Sequence, residues 1–405
     1  MPKPRRTNAA NRPRLNVAIV TGSRADFGLL RPVIDAVCLH RKLTLQLIAG
    51  GSHLLPPSHT IGDVEAAYPI AARVPMQIAR QPATRAADAL AVARGVGGFA
   101  RAFAKLQPDW VVVLGDRIEA FAAAAAASIA GLAVAHIHGG DRAEGIADEA
   151  MRHAISKLAH LHCAASPTSA ERLIRMGERP QHVQFTGSPA LDGLRAIKPL
   201  TDAQVAALGT AAPSHRGQWS IPKYVFLLHP SGLPQAQELA FVNACIRGVA
   251  RQPDGHATLA FAPNHDAGRE HTVAALNSAQ LQHGWRLIDH LPRDRFLALL
   301  KWMARHQIPL VGNSSAGLIE CAALNVPVVN LGQRQAGRER VGGVLDIPEP
   351  QLDSTTWIPR PITNPARDAI VAAALGTGRA GRTIASLLAS TDPHSPALLR
   401  KRNAY

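Results

Sequence analysis

The stretch Ala135–Lys157, AHIHGGDRAEGIADEAMRHAISK, packs three histidines, a Gly-Gly pair and four carboxylates between one apolar run and the next. Residues of these types suit a solvated loop, a metal site or acid/base machinery. His136 and His138 are two apart, so on a strand both would point to one face. With Asp141 such an HxH pair could ligate a metal. The glycines permit a tight backbone beside a ligand. In the helix that DEAMRHAISK opens, Asp148 and Arg152 stand at i,i+4, as do Glu149 and His153. Two acid/base pairs then share its first turns. Upstream, Asp116 and Arg117 directly follow the apolar run WVVVLG. An N-cap is the bland role for Asp116. A carboxylate and a guanidinium working on one ligand is the functional one.

Other strand ends carry similar groups. LNVAIVT runs into GSRADFGLL, placing Arg24 and Asp26 where a strand feeds a helix. Its glycines allow close backbone approach, and the helix start favours a phosphate. The pattern is not GxGxxG, so a dinucleotide fingerprint is absent. IPLVG ends in NSSAGLIE, with Ser314, Ser315 and Gly317 at a helix start and Glu320 inside that helix. Hydroxyls and backbone amides there suit a phosphate, and the carboxylate suits ribose hydroxyls. KYVFLLH ends in His229, ATLAFA ends in PNHDAG with Asn264 and Asp266, and VPVVNLG ends in a loop with Arg334, Arg338 and Arg340.

What must position these groups is a series of short apolar runs alternating with helical patterns. LNVAIVT, LTLQLIA, WVVVLG, LAVAHI, LHCAAS and HVQFTG read as strands of the first half. KYVFLLH, ATLAFA, WRLID, IPLVG and VPVVNLG read as strands of the second. Near-continuous apolar strands separated by helices mean parallel sheets covered on both faces. The expected fold is α/β, two doubly wound domains facing a central cleft, with ligands at the carboxyl ends of the strands. The expected division is a disordered basic head over 1–14, a catalytic domain over 15–200, a linker over 201–222, a nucleotide domain over 223–375, and a C-terminal helix and basic tail over 376–405.

The chain has 405 residues, 47% of them hydrophobic, with a net charge of +15. That length accommodates two domains with large cores. The charge raises nucleic acid, but no aromatic-interleaved basic motif accompanies it. Much of it sits in the two termini, both expected to be disordered. The rest is mostly Arg, which suits a phosphate-bearing ligand. The four cysteines form no CxxC and are expected to be buried free thiols in a reducing compartment. FAAAAAASIAGLAV, the most apolar window, is too short to span a bilayer. The basic head lacks a following apolar segment, so no signal peptide is expected and the cytoplasm is the expected compartment.

The ordered pieces GSRADFGLL, GDRIEA, HIHGGD…DEAMRHAISKLAHLH, GSPALD, PNHDAG, NSSAGLIE and GQRQAGRER resemble the hydrolysing UDP-N-acetylglucosamine 2-epimerases of sialic-acid biosynthesis. The similarity covers about residues 15–350. The resemblance implies a GT-B-like fold and a reaction in which the C2 proton of the sugar is removed while UDP leaves C1. Water then adds to the bound glycal with inversion at C2. It implies no metal and no nicotinamide. Arg24, Arg117, His229, Asn264, Ser314, Ser315, Glu320 and Arg334 match positions that hold UDP, and Asp266 and Gly317 lie in the same motifs. His229 also ends its strand as a proton-transfer group. Asp116 matches a catalytic carboxylate, Asp148 or Glu149 a second, and Arg152 stands one turn on. Several members carry Glu where this chain has His138, in HLEGG rather than HIHGG, while others of the sialic-type branch carry His. The acid/base assignment thus stays open among His138, Asp116, Asp148 and Glu149. Rival readings are a GT-B glycosyltransferase using a UDP-sugar and a nucleotide-sugar-binding protein without activity. The sugar stays open between UDP-N-acetylglucosamine, UDP-diacetylbacillosamine and a GDP-linked analogue. The partner implied is the nucleotide sugar, with no nucleic acid and no membrane. Assembly stays open between a homodimer and a homotetramer.

Overall fold

The computed structural model describes residues 14–56, 60–80, 84–142, 147–212, 214, 219–263, 268–352, 356–357 and 366–404, with the backbone alone for Ala147 and Asp148. The basic head before Arg14, and Asn264 and Asp266, lie outside the described residues.

The first sheet comprises β1 (Leu15–Thr21), β2 (Leu43–Gly50), β3 (Ile70–Val74), β4 (Trp110–Leu114), β5 (Ala133–Ile137), β6 (Leu161–Ala164) and β7 (Val183–Phe185). Its order is β3-β2-β1-β4-β5-β6-β7, with every pair parallel. Helices α1 (Arg24–Leu39), α2 (Ile61–Ala67), α3 (Arg85–Leu106), α4 (Ile118–Ile129), α5 (Ala147–Leu158) and α6 (Pro167–Arg175) connect the strands. β4 and β5 are buried at every position, as strands covered on both faces must be. On one face Val17, Ile19, Trp110 and Val112 meet Leu30, Val33 and Ile34 of α1. On the other, Ala18, Val20, Val111 and Val113 meet Phe99 and Phe103 of α3 and the alanines of α4. Small residues let α3 and α4 approach closely: a Cβ on Gly95 would lie 2.9 Å from that of Ala122.

Residues 201–222, expected as linker, include α7 (Asp202–Ala206), whose Val205 is buried in the second core. The second sheet repeats the plan with β8 (Tyr224–Leu227), β9 (Thr258–Phe261), β10 (Arg286–Ile288), β11 (Leu310–Gly312), β12 (Val328–Leu331) and β13 (Val344–Ile347), in the order β10-β9-β8-β11-β12-β13, again parallel. Around it lie α8 (Gln235–Ala250), α9 (Arg269–His283), α10 (Arg293–His306), α11 (Glu320–Leu324) and α12 (Arg367–Leu375). In each sheet the order reverses between two neighbouring strands, β1/β4 and β8/β11. A crevice opens beyond the carboxyl ends of such a pair.

The chain then returns to the first domain. α13 (Ala380–Ser390) places Ile384 and Leu388 in the core against α1, and Trp110 Nε1 donates to the Leu388 carbonyl at 3.1 Å. After α14 (Pro396–Leu399) the tail, expected to be disordered, is docked. Lys401 Nζ donates to the Ser156 carbonyl at 2.8 Å and pairs with Glu178 at 2.7 Å. Cys163, Cys245 and Cys321 are buried free thiols as expected, but Cys38 is exposed near the solvent end of α1. Among the described residues no helix is long and apolar enough to cross a membrane.

Candidate active site

At the switch point of the first sheet, Ser23 caps α1 and Asp26 completes the capping box, accepting from Ser23 N at 3.1 Å and also from Gly22 N at 2.9 Å. This fixes Arg24 as the first helical residue, half-buried. Burial lowers its pKa, Asp63 opposes that, and Arg269 of the second domain adds to the lowering. The glycines of GSRADFGLL serve protein neighbours. A Cβ on Gly22 would collide with the Glu119 side chain, and one on Gly28 with Arg293.

Next to β1, β4 delivers Asp116 and Arg117. Arg117, not Asp116, is the N-cap of α4. Asp116 forms an ion pair with Arg152, whose side chain is 3% exposed on α5. Burial presses the Arg152 pKa well below its ordinary value, and Arg338, Arg334 and Arg172 press it further. Three other guanidiniums therefore bear on Arg152, two of them from the second domain. Such a concentration of cation is costly unless an anion shares it, and Asp116 supplies one carboxylate. Glu149, on the same helix, stands 3.7 Å from Arg142 and 3.6 Å from His153.

β5 ends at Ile137, and His138 takes a left-handed backbone with φ +63°. The expected common face of His136 and His138 is thereby lost. His136 is buried inside the domain: Nε2 donates to the Gly115 carbonyl at 2.7 Å and Nδ1 accepts from Ser156 at 3.1 Å. Burial lowers its pKa to about 3. His138 instead meets Asp141 through Nδ1 at 2.7 Å and Ser188 through Nε2 at 3.0 Å. Both rings thus use both nitrogens within the protein, and the HxH pair does not converge on a metal. Among the described residues no three His, Cys, Asp or Glu side chains gather with ligand spacing. The Gly-Gly pair makes room for protein rather than ligand. A Cβ on Gly139 would lie 2.9 Å from His136 Nδ1, and one on Gly140 would collide with the Ser169 carbonyl.

In the second domain, Asn313 ties the ends of β8 and β11. Its Oδ1 accepts from His229 N at 2.7 Å and its Nδ2 donates to the His229 carbonyl at 2.8 Å. Arg334 Nη1 and Gln335 Nε2 both donate to the Asn313 carbonyl, at 3.2 and 2.8 Å. The helix expected at NSSAG is a 3-10 turn, Ser315–Gly317, capped by Ser314, and α11 begins afresh at Glu320. Gly317 is buried, with room for a Cβ only 3.0 Å from Val328. Glu320 is also buried, and Arg293 Nη1 donates to its Oε1 at 3.0 Å.

Several hydrogen bonds join the domains across the crevice. Arg293 Nη2 donates to the Ala190 carbonyl of the first domain at 3.1 Å. Arg338 Nε donates to the Arg142 carbonyl at 2.7 Å, and Ser166 Oγ donates to Glu339 at 2.9 Å. Asp116, Arg117, His138, Glu149 and Arg152 stand on the first-domain side, and His229, Ser314, Ser315, Glu320 and Arg334 on the other. Asp148 is placed by its backbone on α5 alone. Sequence reasoning missed Glu119, which is 1% exposed, lies 3.5 Å from Arg117 and accepts from Gln77 at 3.1 Å. It also missed Ser188, Arg293 and Asn313. GSPALD was the visible signal for Ser188; LPRDRF carried none for Arg293.

A family model for UDP-N-acetylglucosamine 2-epimerase matches residues 36–389. A UDP-N,N'-diacetylbacillosamine 2-epimerase (hydrolyzing) of Legionella pneumophila is 32% identical over 96% of this chain and 99% of its own. A UDP-N-acetylglucosamine 2-epimerase of Neisseria meningitidis is 30% identical over 80% of this chain and 81% of its own. The crystal structure of the Methanocaldococcus jannaschii UDP-GlcNAc 2-epimerase in complex with UDP-GlcNAc and UDP superposes with a TM-score of 0.71 at 16% identity. That match covers 93% of this chain and all of that one, which establishes the GT-B-like fold. By the extent of the family match, this chain belongs to the UDP-N-acetylglucosamine 2-epimerase family.

Proposed function

We propose that this chain is a hydrolysing 2-epimerase that converts a UDP-linked 2-acetamido sugar and water to the free 2-epimeric sugar and UDP. With UDP-N-acetylglucosamine the product is N-acetylmannosamine, the entry to a sialic-acid-like sugar. The observation that carries the reading is the buried pairing of Asp116 with Arg152, on which Arg334 and Arg338 of a second-domain loop also bear.

The C2 proton is weakly acidic, so its removal needs a base held away from water and a leaving group whose charge is met as it forms. In the proposed first step the C2–H bond breaks and its proton passes to the enzyme. The C1–O bond breaks anti to it, UDP takes the electron pair, and a C1–C2 double bond remains. Water then adds its hydroxyl to C1, while C2 receives a proton from the opposite face. His138 and the carboxylates Asp116, Asp148 and Glu149 are the proton-transferring set. Arg117, Arg152, Arg334 and His229 face the diphosphate. Arg24, Ser314, Ser315, Gly317 and Glu320, with Asn264 and Asp266, hold the nucleotide.

A second reading, the same reaction on UDP-N,N'-diacetylbacillosamine, is favoured by the near full-length match to the Legionella relative. NMR of the purified protein with each nucleotide sugar in deuterated water tests both. The expected product is the free 2-epimer carrying deuterium at C2. Release of UDP with an unlabelled C2, or of no free sugar, would reject the mechanism.

A further inference from the structure

His138 lies at the centre of a buried array that joins two motifs 50 residues apart. Its Nδ1 is 2.7 Å from Asp141 Oδ2, and its Nε2 is 3.0 Å from Ser188 Oγ. Asp141 Oδ1 accepts from Ser169 Oγ at 2.7 Å. His138, Asp141 and Ser188 are all buried. A carboxylate only accepts, so Nδ1 carries the proton and the lone pair falls on Nε2. The Ser188 hydroxyl must then donate to it. Ser188 is 1% exposed and also caps its own turn through Ala190 N at 3.3 Å, which rules out a role as an open nucleophile.

We propose that Asp141 and Ser188 are positioning residues for the acid/base step, acting through His138. Asp141 fixes the proton on Nδ1, and the Ser188 hydroxyl, donating to the unprotonated Nε2, sets the ring plane. The proposal rests on the epimerase reading for its kinetic part only.

Three further observations support it. The positive φ of His138 is strain for a residue with a Cβ, and such strain persists where surrounding structure enforces it. The Asp141 carboxylate, raised by burial, is brought below its ordinary pKa by His138, Arg338 and the Ser169 hydroxyl, as a permanent acceptor requires. Lastly, the turn that carries Ser188 is held by Arg293, the residue that also binds Glu320. His138 is thus oriented by a segment that the nucleotide domain grips.

The tautomer can be read directly by long-range proton–nitrogen NMR of the ligand-free protein labelled in histidine, with His138 assigned by the signals lost in His138→Asn. Wild type should show the proton on Nδ1, and Asp141→Asn, whose amide can donate, should move it to Nε2. A wild-type proton on Nε2, or no change in Asp141→Asn, would overturn the proposal whether or not the protein turns over any nucleotide sugar. In kinetics, Ser188→Ala should lower kcat about 10- to 100-fold at unchanged UDP affinity, and Asp141→Asn on the order of 10²–10⁴-fold. Ser188→Thr, which keeps the hydroxyl, should restore most of the rate. Wild-type kcat in Ser188→Ala, or equal loss in Ala and Thr variants that bind UDP normally, would also overturn it. Absence of any turnover by wild type would instead reject the epimerase reading and leave the tautomer result standing.

Discussion

Arg293 and Glu320 form a partly buried ion pair at 3.0 Å, and the same guanidinium reaches the Ala190 carbonyl of the opposite domain. One side chain therefore neutralises a buried carboxylate of the second domain and ties the two domains together. Removing it leaves Glu320 buried without its cation, and breaking a buried pair from one side costs about 3–5 kcal/mol. The 21% exposure of Arg293 puts this case at the low end. Arg293→Leu should lower the thermal midpoint and weaken UDP binding together, as scanning calorimetry and titration calorimetry would reveal. Unchanged UDP affinity in a folded Arg293→Leu protein would separate Glu320 from the nucleotide.

The glycines of HIHGGD give a second expectation. Gly140 has φ +78°, and a Cβ there would collide with the Ser169 carbonyl and lie 2.9 Å from Leu173. A left-handed backbone alone costs a side-chain-bearing residue about 1–2 kcal/mol. The collision with backbone, which cannot rotate away, adds to it. Ser169 is also the donor to Asp141, so the damage passes to His138. Gly140→Ala should destabilise by more than the left-handed cost alone and depress turnover further than the loss of folded protein explains. Denaturant titration beside kcat measures both.

Most of the architecture was legible because it follows from strand burial. All eleven strands read from the sequence are present, and the central ones announce themselves because a strand covered on both faces must be apolar along its length. The two that escaped, β3 and β13, are edge strands. IAARV alternates exposed and partly buried positions, and VLDI is interrupted by the exposed Asp346, so neither has an apolar run to announce it. The site was legible at the strand ends and illegible where remote segments meet. His138 could be found from HIHGGD, but its partner Ser188 is 50 residues away. Arg293 acts on Ala190 across 103 residues. The same-face reading of His136 and His138 failed because the strand stops one residue before the second histidine.

Acid stability follows from the buried rings. Burial lowers His136 to about 3 and His53 and His160 to about 4, against an ordinary 6.5. All three are held by hydrogen bonds within the protein, His53 between Thr21 and Thr60 and His160 through Val134 N. Their neutral forms favour the folded state, so the unfolded chain binds more protons between the two values. The stabilisation is complete above about pH 6.5 and is lost as pH falls toward 3–4. Each ring contributes a slope of about 1.4 kcal/mol per pH unit in that window. Glu178 adds to the loss lower down. Burial raises it, but His162 and Lys401 win and hold it at about 2, so its contribution fades between 4.5 and 2. Thermal midpoints should fall steadily below pH 6.5, and His53→Gln should flatten the upper part of the curve. A midpoint independent of pH from 6.5 to 4 would contradict the buried neutral rings.

The last expectation concerns the nucleotide. Ser314 and Ser315 are half-buried at the carboxyl end of β11, at the start of a 3-10 turn. Ser314 Oγ accepts from Ala316 N at 3.3 Å, and so its hydroxyl proton is free to turn toward an anion. Arg334 stands beside them, anchored on the Asn313 and Pro230 carbonyls. Hydrogen bonds to a charged group are stronger than neutral ones, and losing them from both serines should weaken UDP binding by about 1–3 kcal/mol. Replacing both by Ala also removes the turn's cap, so folding must be followed separately. Titration calorimetry with UDP on a Ser314→Ala, Ser315→Ala protein of normal thermal midpoint provides the measurement. An affinity equal to wild type would move the diphosphate away from this turn and toward Arg24 and Arg117 across the crevice.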